Sequence, residues 1–198
     1  DGAKSGADTW RCKECHGWDY VGENGRYGSG SHYTGIPGLY PPVLTRWQAF
    51  VEIKTGHGLG GATMLSDADI WDLVGFYFAG MIDTKFIINS DGKFDGNAAT
   101  GATLFTGGIG GSISCSTCHG ADGMNDNPGG GAGFTEFPGL LSWDNPQEFQ
   151  HKVRFGQPGT AMPRNHNFGA TTTNTADLAA HAQTLPCGAG PVYWPNCP

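Results

Sequence analysis

The sequence predicts a mainly α, loop-rich protein made of two tandem helical units, and three observations carry that expectation. A set of short motifs recurs roughly one hundred residues along the chain. Cys12-Lys13-Glu14-Cys15-His16-Gly17 returns as Cys115-Ser116-Thr117-Cys118-His119-Gly120, Ile36-Pro37-Gly38-Leu39 as Phe137-Pro138-Gly139-Leu140, and Met64 as Met162. Each copy also holds segments of helical periodicity between capping and stop signals. Finally, 34 of the 198 residues are glycine, so much of the backbone must be loop.

The elements follow in the same order in both halves. An opening helix leads into the first motif, Ser5 to Cys15 in one half and Ala98 to Phe105 then Ser114 to Cys118 in the other. A middle helix follows over Arg46–Lys54, with Thr45 as its N-cap, and over Pro146–Phe155, with Asn145 as cap and proline at the first position. Gly56 and Gly156 are natural stops. A third helix spans Asp67 to Gly80 after Ser66, with its counterpart from Thr175 to Leu185. This gives units over 1–84 and 98–198, joined by a linker over 85–97 that contains the turn signal Asn89-Ser90-Asp91-Gly92. Its apolar Phe86-Ile87-Ile88 is expected to pack rather than dangle.

Composition narrows the function. Apolar residues make up 38% of the chain, little for a fold that must bury a core, so a large apolar cofactor would help to organise it. The formal charge is −7, from 18 acids against 11 bases, which argues against nucleic acid and favours a partner with a basic patch. No apolar run reaches the roughly 20 residues of a membrane helix. No leader is visible before Asp1, as expected of a processed form.

Six cysteines fall into three pairs. The first two sit in Cys-x-x-Cys-His, where two thiols one helical turn apart can add to the two vinyl groups on one porphyrin edge. The adjacent histidine then falls under the iron. A zinc site or a redox dithiol uses the same pair spacing, but two copies, each followed by His-Gly and each opening its own unit, favour haem. Cys12, Cys15, Cys115 and Cys118 are the candidate attachment residues, His16 and His119 the proximal ligands, and two covalently bound haem c groups the cofactors. The third pair, Cys187 and Cys197, closes a short terminal loop as a disulfide contributing about 2–3 kcal/mol. Disulfides and covalent haem both point outside the cytoplasm, hence to the periplasm of a bacterium.

The sixth ligand decides between electron transfer and chemistry on the iron. Met162 lies in the Gly/Pro-rich loop Gly159-Thr160-Ala161-Met162-Pro163 and is the candidate in the second half. In the first half Met64 occupies the equivalent loop, with Leu65 in place of the proline; His57 and Met81 compete with it. Pro37 and Pro138 are candidates to offer a backbone carbonyl to the proximal histidines. Arg46, Arg154, Trp47 and Tyr33 are candidates for the haem propionates, whereas His32, His151, His166 and His181 are expected at the surface.

These motifs resemble the two-domain dihaem cytochromes c of the c-four type, over nearly the whole chain. The resemblance implies two tandem cytochrome-c-like helical domains, each around one covalent haem, with His16 and Met64 on one iron and His119 and Met162 on the other. It implies a one-electron carrier between a redox-protein donor and acceptor, with no catalytic residues of its own. A haem enzyme of the peroxidase or thiosulfate-oxidising type, or the electron-accepting subunit of a dehydrogenase, are the alternatives.

Overall fold

Side-chain caps start the longer helices. A computed structural model describes residues 11–30, 33–57, 64–125, 137–157 and 160–188. These residues are mostly helical, with no β-strand among them beyond isolated bridges at Gly22–Pro37 and Ile88–Phe94. They belong to two compact units, the first ending at Asp83 and the second beginning at Thr84.

In the first unit, α1 (Cys12–His16) carries the first motif, α2 (Arg46–Val51) passes into a π-helical turn over Glu52–Gly56, and α3 (Asp67–Ala79) closes the unit. Thr45 and Gln48 cap α2 reciprocally: the Gln48 amide donates to Thr45 Oγ1 at 3.2 Å, and the Thr45 amide to Gln48 Oε1 at 2.8 Å. Ser66 and Asp69 repeat the device on α3, at 3.2 and 2.8 Å, and these hydrogen bonds hold the Asp69 carboxyl below its ordinary pKa. Helices α2 and α3 then bury Ala49, Phe50, Ile70, Val74 and Tyr77 together with Tyr20 and Met81. Met81 is therefore a core side chain. Tyr77 is apolar at its ring and polar at its tip, where the hydroxyl accepts the amides of Val43 and Leu44 at 2.9 and 3.2 Å.

The second unit contains α4 (Ala98–Gly107), α5 (Cys115–His119), α6 (Pro138–Asp144), α7 (Pro146–Phe155) and α8 (Thr172–Ala182). Helix α7 has the expected bounds and proline start, with the Glu148 amide donating to Asn145 Oδ1 at 3.4 Å. Helix α8 begins three residues earlier than its periodicity suggests, because Thr171 and Asn174 form a capping box ahead of it. Helix α6 was not expected: Pro138-Gly139-Leu140 reads as a loop, yet here it opens a helix whose Leu140, Leu141 and Ser142 are buried.

Helices α4 and α8 pack at close range because glycine lines the contact. A Cβ on Gly101 would overlap the Asp177 carbonyl and stand 2.8 Å from His181 Cβ. The Asp177 carboxylate accepts the Asn97 amide at 2.7 Å, which puts negative charge at the N-terminus of α4. His181, expected at the surface, packs edge-on to Phe105 with centroids 5.3 Å apart, and burial lowers its pKa. The 85–97 segment is fastened to this unit by Gln183, whose side chain accepts the Phe94 amide at 3.0 Å and donates to the Gly92 carbonyl at 2.8 Å.

Gly101→Ala is expected to cost about 1–3 kcal/mol through overpacking. Gly107→Ala, whose Cβ meets nothing within 4 Å, is expected to be neutral or to stabilise by about 0.5 kcal/mol. Denaturant unfolding of both variants measures the contrast.

Candidate functional site

Each Cys-x-x-Cys-His motif is a single short helix, so its two thiols lie one turn apart on one side. All four cysteines, Cys12, Cys15, Cys115 and Cys118, are free thiols rather than paired with each other. Burial raises the pKa of Cys12 and pushes that of Cys115 up to about 11. A redox dithiol needs the opposite, a thiolate stabilised near neutral pH. Among the described residues no group of three or more His, Cys, Asp or Glu side chains could hold a metal ion.

The histidines suit a cofactor metal. His16 is buried, and its Nδ1 lies 2.6 Å from the Pro37 carbonyl oxygen. A carbonyl can only accept, so Nδ1 carries the proton and Nε2 keeps its lone pair for a metal. Burial, ahead of the Pro37 bond that opposes it, lowers the His16 pKa and keeps the ring neutral; burial alone does the same at His119. Pro37 thus takes the place foreseen for it, in the bridge with Gly22. Pro138 begins α6 instead, and no hydrogen bond holds the His119 ring among the described residues.

Two residues that sequence reasoning missed hold the motifs closed. The Thr34 hydroxyl donates to the Cys15 carbonyl at 2.5 Å, and the Asn125 side-chain amide donates to the Cys118 carbonyl at 2.5 Å. The backbone adds a second tie to each histidine, from the Gly22 amide to the His16 carbonyl at 3.0 Å and from the Asn125 amide to the His119 carbonyl at 2.9 Å. Directly after each tied histidine stands a glycine, Gly17 at φ 76° or Gly120 at φ 78°. That left-handed turn explains the glycine after each histidine. Thr34 and Asn125 fall outside any periodic pattern and differ in type, so the repeat did not align them.

The sixth-ligand candidates are placed less evenly. Met64 is 46% exposed and directly follows the 58–63 stretch that lies outside the described residues. Met162 is half-buried, and its loop is drawn to the end of α7: a Cβ on Gly156 would stand 2.6 Å from the Met162 carbonyl oxygen. Asn165 anchors the same loop by donating to the Val153 carbonyl at 2.9 Å. His57 follows the π turn directly, with its Nδ1 3.1 Å from the Glu52 carbonyl oxygen.

The propionate candidates are dispersed. The Arg46 and Arg154 guanidinium groups sit over Phe78 and Phe155, Trp47 stacks on Phe50, and Tyr33 is exposed. His32, Cys197 and the start of the first opening helix lie outside the described residues.

Residues 96–181 match the family model described as cytochrome c oxidase, cbb3-type, subunit III. The match supports a c-type cytochrome domain. It begins just before α4, contains Cys115, Cys118, His119 and Met162, and ends within α8. A c-type cytochrome domain implies covalently bound haem c and fits electron transfer. No curated protein and no solved structure matches the chain.

Thr34→Val and Asn125→Ala each remove one hydrogen bond to a motif carbonyl and are expected to cost about 1 kcal/mol. Thermal unfolding monitored by haem absorbance checks this, with haem content unchanged.

Proposed function

We propose that the chain is a dihaem c-type cytochrome of the two-domain, c-four-like type that carries single electrons between redox partners. The observation that carries this reading is the duplicated arrangement: free thiols one turn apart, followed by a histidine whose pKa burial lowers, deeply at His16 and partly at His119, and by a glycine at positive φ. It occurs at Cys12–Gly17, outside the matched stretch, as well as at Cys115–Gly120 within it. On this reading Cys12, Cys15, Cys115 and Cys118 form the thioethers, and His16 and His119 are proximal ligands. Met162 is the distal ligand of the second haem, with Met64 and His57 competing for the first. On this reading the domains are those expected over 1–84 and 98–198, with 85–97 between them.

The bound haem supplies the one-electron couple. The protein's own part is to hold the His16 ring in one tautomer and to lower the pKa of both histidines by burial, deep at His16 and partial at His119. A histidine on one side and a methionine or second histidine on the other would leave a bound haem no open position for chemistry, which suits a carrier better than a catalyst. Covalent haem and a Cys187–Cys197 disulfide belong outside the cytoplasm, and the periplasm of a bacterium is the compartment we infer. Among the described residues no helix is long and apolar enough to cross a membrane. The charge of −7 suits docking to basic patches on donor and acceptor.

A second reading is favoured by the name of the matched family, an oxidase subunit: the chain then works as a fixed electron-carrying subunit of a larger redox complex. Co-purification of a stoichiometric partner would favour it over a free shuttle.

Pyridine haemochrome assay is expected to give two haems per chain, falling to one in the Cys115→Ser/Cys118→Ser double variant. One haem in the unsubstituted protein, or fast binding of carbon monoxide or peroxide to it, would overturn the proposal. Electron exchange with a basic redox protein is expected to slow by about tenfold or more from low to high salt, measured by stopped flow.

A further inference from the structure

Among the described residues, one pair of rings in the first unit has no counterpart in the second. The centroids of His16 and His57 lie 6.2 Å apart, with the ring planes inclined at 49°. Two imidazoles bound to opposite sides of one metal ion, each through a nitrogen about 2 Å from it, have centres roughly 6 Å apart. The spacing across this pair is that of two ligands with an ion between them.

Both rings are also fixed from behind in the same manner. His16 Nδ1 lies 2.6 Å from the Pro37 carbonyl oxygen, and His57 Nδ1 lies 3.1 Å from the Glu52 carbonyl oxygen. A carbonyl only accepts, so each Nδ1 is a donor and Nε2 is the ring nitrogen left to face a metal. Ligating histidines are held this way, with the far nitrogen given to a backbone carbonyl.

The backbone bends to bring His57 there. At Glu52–Gly56 the α-helix widens into a π turn, and the His57 amide reaches back to the Glu52 carbonyl at 3.2 Å. One carbonyl therefore accepts both the main-chain and the ring N–H of His57. π turns are rare, and they occur frequently at functional sites. In the second unit the matching helix stays α to Phe155, the Gly156 amide bonds the Lys152 carbonyl at 2.8 Å, and the next residue is Gln157. Exposure does not separate the two candidates, since the His57 side chain is 45% exposed and Met64 46%.

We propose that His57, rather than Met64, is the sixth ligand of the first haem, so that the chain carries one His/His haem and one His/Met haem. This rests on the dihaem reading above. Methionine raises a haem's potential relative to histidine, so the first haem is the lower-potential one.

Ligand-specific spectroscopy of the loaded, full-length protein tests this. The weak sulfur-to-iron charge-transfer band of the ferric protein is expected at the intensity of one haem per chain, beside a bis-imidazole electron-paramagnetic signal. Reductive titration is expected to resolve two one-electron waves of equal size. His57→Met is expected to double the sulfur band and raise the lower wave, while Met64→Leu changes neither. A two-haem sulfur band that falls by half in Met64→Leu would overturn the assignment of His57 and leave the dihaem reading intact. Fewer than two haems per chain by pyridine haemochrome would instead remove the dihaem reading itself. The unsubstituted protein and Met64→Leu decide the matter even where His57→Met fails to fold.

Discussion

The first unit depends on the hydrogen bond between the His16 ring and the Pro37 carbonyl, because it fixes three properties at once. The carbonyl's inability to donate selects the Nδ1–H tautomer, and the 2.6 Å contact sets the direction of the ring. Burial, which lowers the histidine's pKa, keeps the free nitrogen unprotonated. None of these would follow from the motif Cys-x-x-Cys-His alone. The loop that supplies Pro37 is itself tied down, since the Leu39 and Tyr40 amides both bond the Tyr20 carbonyl, at 2.7 and 2.9 Å. The histidine is thus oriented by a strap that ends in the hydrophobic core.

The second unit reaches a similar motif by other means. Its Pro-Gly-Leu segment is the start of α6, and α8 pins that helix and the 88–94 turn through Gln183. Its helices approach through glycine where the first unit packs aromatic side chains: Gly101 lies against the Asp177 carbonyl, whereas Phe50 stacks on Trp71 at 4.6 Å. The motif closures nevertheless correspond, with a side-chain donor on the second cysteine's carbonyl and a backbone amide on the histidine's. Duplication of a motif has preserved the hydrogen bonds that close it more faithfully than the residues that make them.

This explains what was legible in the sequence and what was not. Caps and periodicity located α2, α3 and α7, because Thr45, Ser66 and Asn145 act on their own neighbours. The α8 start was displaced by a box at Thr171 and Asn174 that lies ahead of the apolar stripe. Helix α6 was invisible because burial of Leu140, Leu141 and Ser142 decides it, and a Pro-Gly pair reads locally as a turn. Thr34 and Asn125 were missed for a related reason: each acts on a carbonyl distant from it in sequence, by 19 and 7 residues. The Cys-x-x-Cys-His helices were legible since their spacing is local, whereas the surroundings of Met64 and His57 depend on where a helix end carries the chain.

That separation has a chemical consequence. On the reading proposed above, covalent attachment would be set by five consecutive residues and the distal ligand by the end of the middle helix. The two can therefore change independently. Widening one turn at Glu52–Gly56 brings a histidine 6.2 Å from His16 without altering the motif that would hold the haem. Leaving the equivalent turn α-helical leaves Gln157 after the glycine, a side chain with no imidazole or thioether to offer, and the methionine loop beside it. On the reading proposed above, one duplicated scaffold acquires two different iron environments through a single local change in helix geometry. A histidine substituted on the second unit's ideal α-helix end would not reproduce this, because the π turn fixes the ring as well as the backbone, through the shared Glu52 carbonyl.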